Sequence, residues 1–179
     1  RYLHLPVQHL DDEILQMMRR RYSFSDVERF VGELMSQVPQ ACLGTDLIVG
    51  FPGETGNHFQ RMYDRMKALP FHYAHIFSYS DRPHARSRTF EGKVSASEIK
   101  MRSQKLRDLA RRKRLKLYQS ALGTKMPVLF EQEKNGFWHG LTDNFLQVRT
   151  LSEKPLKNTI KTVTLKSADH SGITGLLND

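Results

Sequence analysis

The hydrophobic pattern of the chain changes in character near residue 121. Before that point, strand-like apolar stretches alternate with segments whose apolar residues recur every three or four positions, as on the buried face of a helix. This alternation predicts a parallel β-sheet with helices outside it, either doubly wound or part of a β/α barrel. The predicted strands are 2–8, 41–51 and 71–79, and the predicted helices are 12–20, 25–38, a segment from the turn at 52–53 to about 69, and 95–122.

Two of the predicted helices have a recognisable N-terminal signal. Ser25 followed by Glu28, and Ser95 followed by Glu98, have the spacing of a capping box. In a capping box, the hydroxyl and the acidic side chain satisfy backbone N–H groups that the first turn leaves unpaired. Each of these two serines is therefore predicted to begin a helix.

After residue 122, short alternating stretches are separated by Asn, Gly, Asp and Pro, a pattern typical of small β-strands. Five strands in about 55 residues fit a compact barrel of the OB-like kind, a shape often used to bind RNA. The predicted strands are 125–131, 137–141, 145–149, 159–166 and 172–177.

The three strands of the first part are too few to close a barrel, and an open sheet of this size would leave both edges unpaired. The sequence also begins with Arg1 rather than Met. We therefore expect a piece of a longer protein. In it, residues 1–121 would be the α/β part, either doubly wound or part of a β/α barrel, and residues 122–179 a separate small β-barrel.

Charge is concentrated in one segment of the chain. Across 179 residues, 28 Lys and Arg oppose 19 Asp and Glu, which gives a net charge of +9. Residues 100–116 alone contain nine basic residues against a single acidic one, Asp108. Within this segment, Arg111, Arg112, Lys113 and Arg114 surround most of one helical turn. They form either a phosphate-binding surface or a solvated helix face.

The sequence has the features of a protein of the cytoplasm with no membrane partner. No apolar run approaches the roughly 18 residues that a membrane span needs, and the N-terminus lacks the apolar stretch of a signal peptide. The single cysteine, Cys42, can form neither an internal disulfide nor a cysteine-ligated metal site by itself. A reducing compartment is therefore expected.

A glycine-containing turn is the first candidate for a binding site. Residues 50–55, Gly-Phe-Pro-Gly-Glu-Thr, follow the second predicted strand, and parallel β/α sheets bind ligands at the carboxyl ends of their strands. A carboxylate such as Glu54 suits the amine or ribose hydroxyls of a nucleoside-like ligand. The alternative is a tight turn in which Glu54 stabilises the start of the next helix.

Other groups that could carry chemistry have a structural explanation. His72 and His75 would face opposite sides of a strand, so a shared metal ion is not expected. The acidic residues 11–13 fit the first turn of a helix, and Cys42 fits an apolar strand. The aromatic run 137–139 either stacks on bases or belongs to the core of the small barrel.

Four motifs, in their order and spacing, resemble the radical S-adenosylmethionine methylthiotransferases. The small barrel also looks like the TRAM domain that ends these enzymes, so the resemblance covers essentially the whole chain. The Tyr-Ser-x-Arg-Pro form of the last motif, with His-x-Phe before it, is most similar to the branch that acts on N6-threonylcarbamoyladenosine next to the tRNA anticodon. The motifs are His4-Leu5-Pro6-Val7-Gln8, Arg20-Arg21-Tyr22-Ser23, the run 45–55 and Phe77-Ser78-Tyr79-Ser80-Asp81-Arg82-Pro83.

The resemblance implies an enzyme in three parts, of which this chain contains the later strands of the radical barrel and the TRAM domain. The cysteines for two 4Fe-4S clusters would lie upstream of Arg1, so no metal ligand is expected in this chain. S-adenosylmethionine would be cleaved to a deoxyadenosyl radical that abstracts hydrogen from an adenine derivative of tRNA, into which a methylthio group is inserted. Without the N-terminal portion of the same protein, the chain would be inactive.

The resemblance also implies site residues, although it identifies no catalytic residue. Residues at the strand ends would face S-adenosylmethionine, and basic residues would bind the substrate. The expected cofactor-binding residues are Gln8, Asp46, Gly50, Glu54 and Tyr79, and the expected substrate-binding residues are Arg82, Arg111, Arg112, Lys113 and Arg114. Two alternatives stay open, a ribosomal-protein methylthiotransferase and an RNA-binding module without enzymatic activity.

Two departures from the family pattern lie near the expected site. Gln8 is followed by His9-Leu10-Asp11, where the family usually has Ser-Gly-Ser. His84 and Ala85 follow Pro83, where the family usually has Gly-Thr. Both departures fall in predicted loops.

Overall fold

The computed structural model describes residues 1–83 and 85–178, so His84, one of the departures named above, lies outside the described residues. The chain forms two compact units, one of Leu3–Ala110 and one that begins at Arg111 and includes Arg1 and Tyr2. The helices are α1 (Asp12–Met17), α2 (Phe24–Gln37), α3 (Gly56–Ala68) and α4 (Ala96–Ser120), with a 3-10 helix at Arg86–Thr89. The strands are β1 (Tyr2–His4), β2 (Cys42–Val49), β3 (Tyr73–Ser78), β4 (Lys125–Lys134), β5 (Phe137–Thr142), β6 (Gln147–Thr150), β7 (Thr159–Asp169) and β8 (Gly172–Leu177).

The first unit is built on a three-stranded sheet in the order β1-β2-β3. β2 and β3 run parallel, and Gln8 extends the β1 side through a parallel bridge to Leu47. Side chains alternate along β2, so that Leu47 and Val49 are fully buried while Asp46 and Ile48 on the opposite face are half-buried. The predicted parallel sheet with alternating helices is thereby confirmed.

The N-terminus of α2 differs from the prediction. Ser23, not Ser25, is the capping residue, because its hydroxyl accepts from Asp26 N–H at 3.3 Å while Asp26 Oδ2 accepts from Ser23 N–H at 3.0 Å. The preceding chain sets this start, since Phe24 N–H donates to Asp12 Oδ1 at 2.6 Å. The prediction for Ser95 is confirmed, because its hydroxyl accepts from Glu98 N–H at 3.3 Å.

The second unit contains a closed five-stranded barrel in the order β4-β5-β6-β8-β7. All neighbouring strands are antiparallel except β6 and β8. Gly140 and Gly175 allow close approach of strands, because a Cβ atom at either position would collide with a neighbouring strand. The predicted five-stranded barrel is confirmed, and its buried residues include Val128, Phe130, Trp138, Val148, Val163, Leu165 and Ile173.

The first two residues of the chain belong to this second unit. The Tyr2 ring stacks on Phe145, with ring centroids 4.4 Å apart, and Arg1 Nε donates to Asp143 Oδ2 at 2.8 Å. Among the described residues, none of the helices is both long and apolar enough to cross a membrane.

Candidate functional site

A cavity of about 640 Å³ opens in the first unit, at the carboxyl ends of β2 and β3. Such a position is where parallel β/α sheets bind ligands. Aromatic residues, arginines and a few polar groups from the strand ends line it. The lining includes Gln8, Asp46, Ile48, Phe51, Phe77, Tyr79, Phe90, Arg19, Arg20, Arg82 and Arg86.

The aromatic residues form one wall of the cavity. Phe51 makes edge-on contacts with Tyr79 and Phe90, with ring centroids 5.4 Å and 6.1 Å apart. Phe77, on the last strand of the sheet, keeps 52% of its surface exposed. An exposed aromatic face beside fixed rings offers a stacking surface for a planar base.

Four arginines give the cavity a positive lining. Arg19 and Arg20 follow α1, where Arg19 adopts a left-handed backbone with φ 58°. Arg82 and Arg86 follow β3 in the chain and also line the cavity. Asp46 is the acidic residue of this lining, so the guanidinium groups outnumber it and favour an anionic ligand.

Gln8 and Asp46 bring polar groups to the sheet side of the cavity. Gln8 has φ 63°, an uncommon conformation for a residue other than glycine, and its backbone bonds to β2 on both sides, through Asp46 O and Ile48 N at 2.8 Å each. Asp46 Oδ1 lies 2.9 Å from His4 Nε2. Strain of this kind persists where neighbouring hydrogen bonds impose it, and it concentrates at functional sites.

Gly50 and Glu54 do not belong to the cavity lining, and their groups are engaged within the protein. The Glu54 side chain is fully buried, where Oε2 accepts from Gly50 N–H at 2.9 Å and Oε1 accepts from Arg102 Nη1 at 2.8 Å. Gly50 has φ 82°, and a Cβ there would collide with the side chain of Ile99. Both residues therefore shape the turn that presents Phe51. The Glu54 carboxylate and the Gly50 N–H already form hydrogen bonds within the protein.

Buried charge surrounds this turn. Burial alone would raise the pKa of the Glu54 carboxyl, but the neighbouring His9 and Arg102 and the N–H of Gly50 outweigh it and hold the pKa below its ordinary value. His9 is also fully buried, with Nε2 3.4 Å from Glu54 Oε2 and Nδ1 accepting from Asp11 N–H at 3.0 Å. His9 and Asp11, which depart from the family pattern, are thus integral to the turn's support.

Tyr79 contacts the cavity and also orders the loop behind it. Its hydroxyl lies 3.0 Å from both Asp81 Oδ1 and Ser87 Oγ, and Lys93 Nζ pairs with Asp81 at 2.7 Å. Asp81 has a lowered pKa, first because of the hydrogen bond from Lys93. Tyr79 therefore holds Asp81 and Ser87, which are the chain neighbours of Arg82 and Arg86.

The basic run Arg111, Arg112, Lys113 and Arg114 of α4 lies in the second unit and does not contribute to the cavity lining. Arg111 and Arg112 are exposed, and Arg114 donates to His170 O at 3.1 Å. Burial lowers the pKa of Lys113, and Lys116 lowers it further. Of the predicted substrate-binding residues, Arg82 lines the cavity of the first unit, and the run 111–114 belongs to the second unit.

The remaining candidates have largely structural roles. Cys42 is buried and free, and burial raises the pKa of its thiol to about 12, so it is not available as a thiolate ligand. Asp11 caps α1 through Ile14 N–H at 3.3 Å. Trp138 is a core residue, and His139 lines a separate groove of about 300 Å³ on the barrel. His72 accepts from Leu43 N–H at 3.1 Å.

Several cavity residues were not identified from the sequence. Arg19 follows a short helix and Phe90 lies in an irregular segment, and neither position has a periodic signal. Arg20 lies in one of the quoted motifs and Arg86 lies three positions after another, so their spacing relative to the motifs was the available signal. Phe51 was recognised only as part of the turn 50–55.

Comparison with known proteins finds similarity at two levels. Residues 1–66 match the model of the Radical SAM superfamily. The threonylcarbamoyladenosine tRNA methylthiotransferase MtaB of Aquifex aeolicus is 31% identical over 160 residues, which are 89% of this chain and 38% of that relative. The tRNA-2-methylthio-N(6)-dimethylallyladenosine synthase of Jannaschia sp. is 32% identical over 178 residues, 98% of this chain and 38% of the relative.

A third relative is named for a protein substrate. The ribosomal protein uS12 methylthiotransferase RimO of Natranaerobius thermophilus is 35% identical over 131 residues, 73% of this chain and 30% of the relative. The chain therefore spans less than half the length of the relatives it matches. Their names agree on methylthio chemistry and differ on the substrate.

Proposed function

From the premise that this chain belongs to the radical S-adenosylmethionine methylthiotransferases, we propose that it is the substrate-side part of an enzyme of this family that modifies tRNA. The observation that carries the proposal is the cavity, whose lining combines aromatic rings with four arginines. Aromatic rings stack on bases and guanidinium groups bind phosphates, so the lining suits a nucleotide within a polyanion.

The cavity also fits S-adenosylmethionine, a nucleoside with a charged amino-acid tail. Phe51, Phe77 and Tyr79 would hold its adenine, and Gln8 and Asp46 would bind its hydroxyl and ammonium groups. The bound cofactor supplies radical and methyl-transfer chemistry in this family. Two 4Fe-4S clusters are proposed for the N-terminal portion of the same protein, because Cys42 is the single cysteine of this chain.

The role of the chain's own residues is to bind and orient. The buried pair of Glu54 and Arg102 holds the turn that presents Phe51. Tyr79 orders the segment that brings Arg82 to the cavity. Separated from the N-terminal portion, such a chain would bind its ligands without turning them over.

The positive lining favours tRNA over a ribosomal protein as substrate. The guanidinium groups of Arg19, Arg20, Arg82 and Arg86 attract a polyanion such as RNA to the cavity. An RNA loop would neutralise the same guanidinium groups. The finer choice of N6-threonylcarbamoyladenosine is supported by the motif Tyr79-Ser80-Asp81-Arg82-Pro83.

Two structural assignments complete the proposal. The sheet β1-β2-β3 would be part of a β/α barrel in a domain of residues 1–121, and the closed barrel would be a TRAM domain of residues 122–179. The basic run Arg111, Arg112, Lys113 and Arg114 would add contacts to RNA phosphates. An enzyme acting on tRNA in this way would work in the cytoplasm.

Binding experiments on this chain test the proposal. We expect a labelled anticodon stem-loop RNA to bind in anisotropy titrations and S-adenosylmethionine to bind in calorimetric titrations. The double variant Arg82→Ala and Arg86→Ala should weaken RNA binding and lower its salt dependence by about one unit per lost phosphate contact. Arg29→Ala is a matched control, because Arg29 is an exposed arginine on α2 that pairs with Asp26.

The outcomes separate the open alternatives. Tighter binding of a stem-loop with N6-threonylcarbamoyladenosine than of an unmodified one would support the finer assignment. Unchanged RNA binding in the double variant would remove the cavity from the interface. Preference for a peptide of ribosomal protein uS12 would assign the protein substrate, and RNA binding without S-adenosylmethionine binding would indicate an RNA-binding module.

A further inference from the structure

A cluster of two histidines and one aspartate lies on the open face of the sheet. His4, Asp46 and His75 come from β1, β2 and β3, and one ligand atom of each lies within 4.8 Å of those of the other two. Asp46 Oδ1 and His4 Nε2 are 2.9 Å apart, and the rings of His4 and His75 have centroids 5.6 Å apart. Residues separated by 42 and 29 positions in sequence therefore meet at one point.

The strand register produces this convergence. Asp46 is directly opposite His75 in the parallel pair of β2 and β3, so their side chains project from the same face. β1 adds to the other side of β2, where Leu5 N–H donates to Gly44 O at 2.8 Å. The aspartate thus stands on the central strand with one histidine on each side.

We propose that His4, Asp46 and His75 form a binding site for a divalent transition-metal ion. Two imidazoles and one carboxylate are a common ligand set for Zn²⁺, Co²⁺, Ni²⁺ and Fe²⁺. All three side chains keep access to solvent, with His4 and Asp46 half-buried and His75 exposed. This proposal departs from the expectation that the chain holds no metal ligand.

The site has a defined relation to the cavity. Asp46 lines the cavity together with Gln8 and Ile48, so a metal ion bound to Asp46 would lie next to that space. Three protein ligands leave coordination positions for water or for an oxygen or nitrogen of a bound molecule. The metal ion would therefore add a ligand-binding point to the floor of the cavity.

A second group of potential ligands in the same unit makes a useful contrast. Asp11, Glu13 and His58 also approach one another within 4.8 Å. There, however, the guanidinium of Arg61 forms ion pairs with both Asp11 and Glu13, and the pKa of the Asp11 carboxyl is lowered although burial opposes this. Since a cationic side chain already neutralises these carboxylates, a metal ion is not expected at this group.

Metal titration of the purified chain tests the metal site without RNA or S-adenosylmethionine. If the chain binds no metal ion, the metal site is refuted and the proposed function is not affected. We expect ZnCl₂ to bind with one-to-one stoichiometry in calorimetry, and CoCl₂ to give the visible absorption of protein-bound cobalt. His75→Ala removes a ligand from an exposed position and should weaken binding by at least ~10-fold, the loss expected even when only an outer-shell partner is removed. Asp46→Asn should act in the same direction.

Matched variants locate the metal ion. His170→Ala, at an exposed histidine of the other unit, and His58→Ala should leave the affinity unchanged. Circular dichroism of each variant checks that it is folded. An unchanged affinity for Zn²⁺ in His75→Ala would overturn the proposal. Loss of Zn²⁺ binding in His58→Ala instead would also overturn it. So would the absence of binding, which would leave His4 and Asp46 as a hydrogen-bonded pair alone.

Discussion

The two units of the chain use buried polar groups differently. In the unit Leu3–Ala110, the buried polar side chains include His9, Asp11, Glu54 and Arg102, which are gathered near the turn at Gly50. In the part of the barrel that the structure describes, the buried polar side chains are two threonines, Thr142 and Thr150, and the rest of the interior is apolar. Buried charge costs free energy unless it is paired. Its concentration near the cavity indicates that these paired groups fix the position of the turn that presents Phe51.

The comparison is tested most strongly by removing Arg102. Arg102→Met would leave the Glu54 carboxylate buried without its guanidinium partner, and loss of one partner of a buried ion pair costs about 3–5 kcal/mol. Denaturant unfolding followed by circular dichroism measures the change in free energy. The double variant Glu54→Gln and Arg102→Met should recover part of the loss. Wild-type stability of Arg102→Met would contradict the argument.

The stability of the barrel should instead depend on the volume of its side chains. A Cβ at Gly140 would collide with Leu129 O and lie 2.8 Å from Val128 Cγ1, so Gly140→Ala is expected to destabilise by about 1–3 kcal/mol. The same unfolding experiment measures it. Gly32→Ala on α2 is the control, because nothing lies within 4 Å of a Cβ there and the substitution should stabilise by about 0.5–1 kcal/mol. Equal effects of the two variants would refute this prediction.

The buried Glu54 carboxyl should also make the stability of its unit depend on pH. Because the pKa of folded Glu54 lies below its unfolded value, the ionised carboxylate stabilises the fold above the unfolded pKa, about 4.3. This stabilisation is lost as the pH falls through the folded pKa. Glu54→Gln should therefore flatten the acid limb of a plot of unfolding free energy against pH. An acid limb identical to that of the wild type would show that another group is responsible.

The smallest effect is expected at the barrel surface. Arg149 Nη2 pairs with Asp169 at 2.6 Å, but the two side chains are 27% and 52% exposed. Such pairs contribute about 0–1 kcal/mol, so Arg149→Met should change stability by less than about 1 kcal/mol. A loss as large as that of Arg102→Met, measured in the same way, would remove the contrast between the units.

The sequence predicted the elements better than their exact limits. Periodicity identified three strand-helix units and five barrel strands because burial on one face repeats along each element. It misplaced the start of α2, since Ser23 with Asp26 and Ser25 with Glu28 have the same spacing. The choice depends on the bond from Phe24 N–H to Asp12 Oδ1, a contact between residues twelve positions apart.

The candidate site was only partly predictable for a related reason. The family resemblance implied that Gln8, Asp46, Tyr79 and Arg82 contact a ligand, and these four residues line one cavity. Glu54 was expected there too, but Arg102, 48 residues away, holds it in the interior. The proximity of His4, Asp46 and His75 depends on strand register, which a pattern within one segment does not contain.

Trp138 gives the molecule an optical consequence. It is the single tryptophan of the sequence and is 92% buried within the barrel, in β5. Its fluorescence emission therefore reports the opening of the barrel. The other unit, which contains α1, α2 and α3, has no tryptophan and does not contribute to that signal. The chain thus carries a native spectroscopic label that distinguishes unfolding of one unit from unfolding of the other without any added dye.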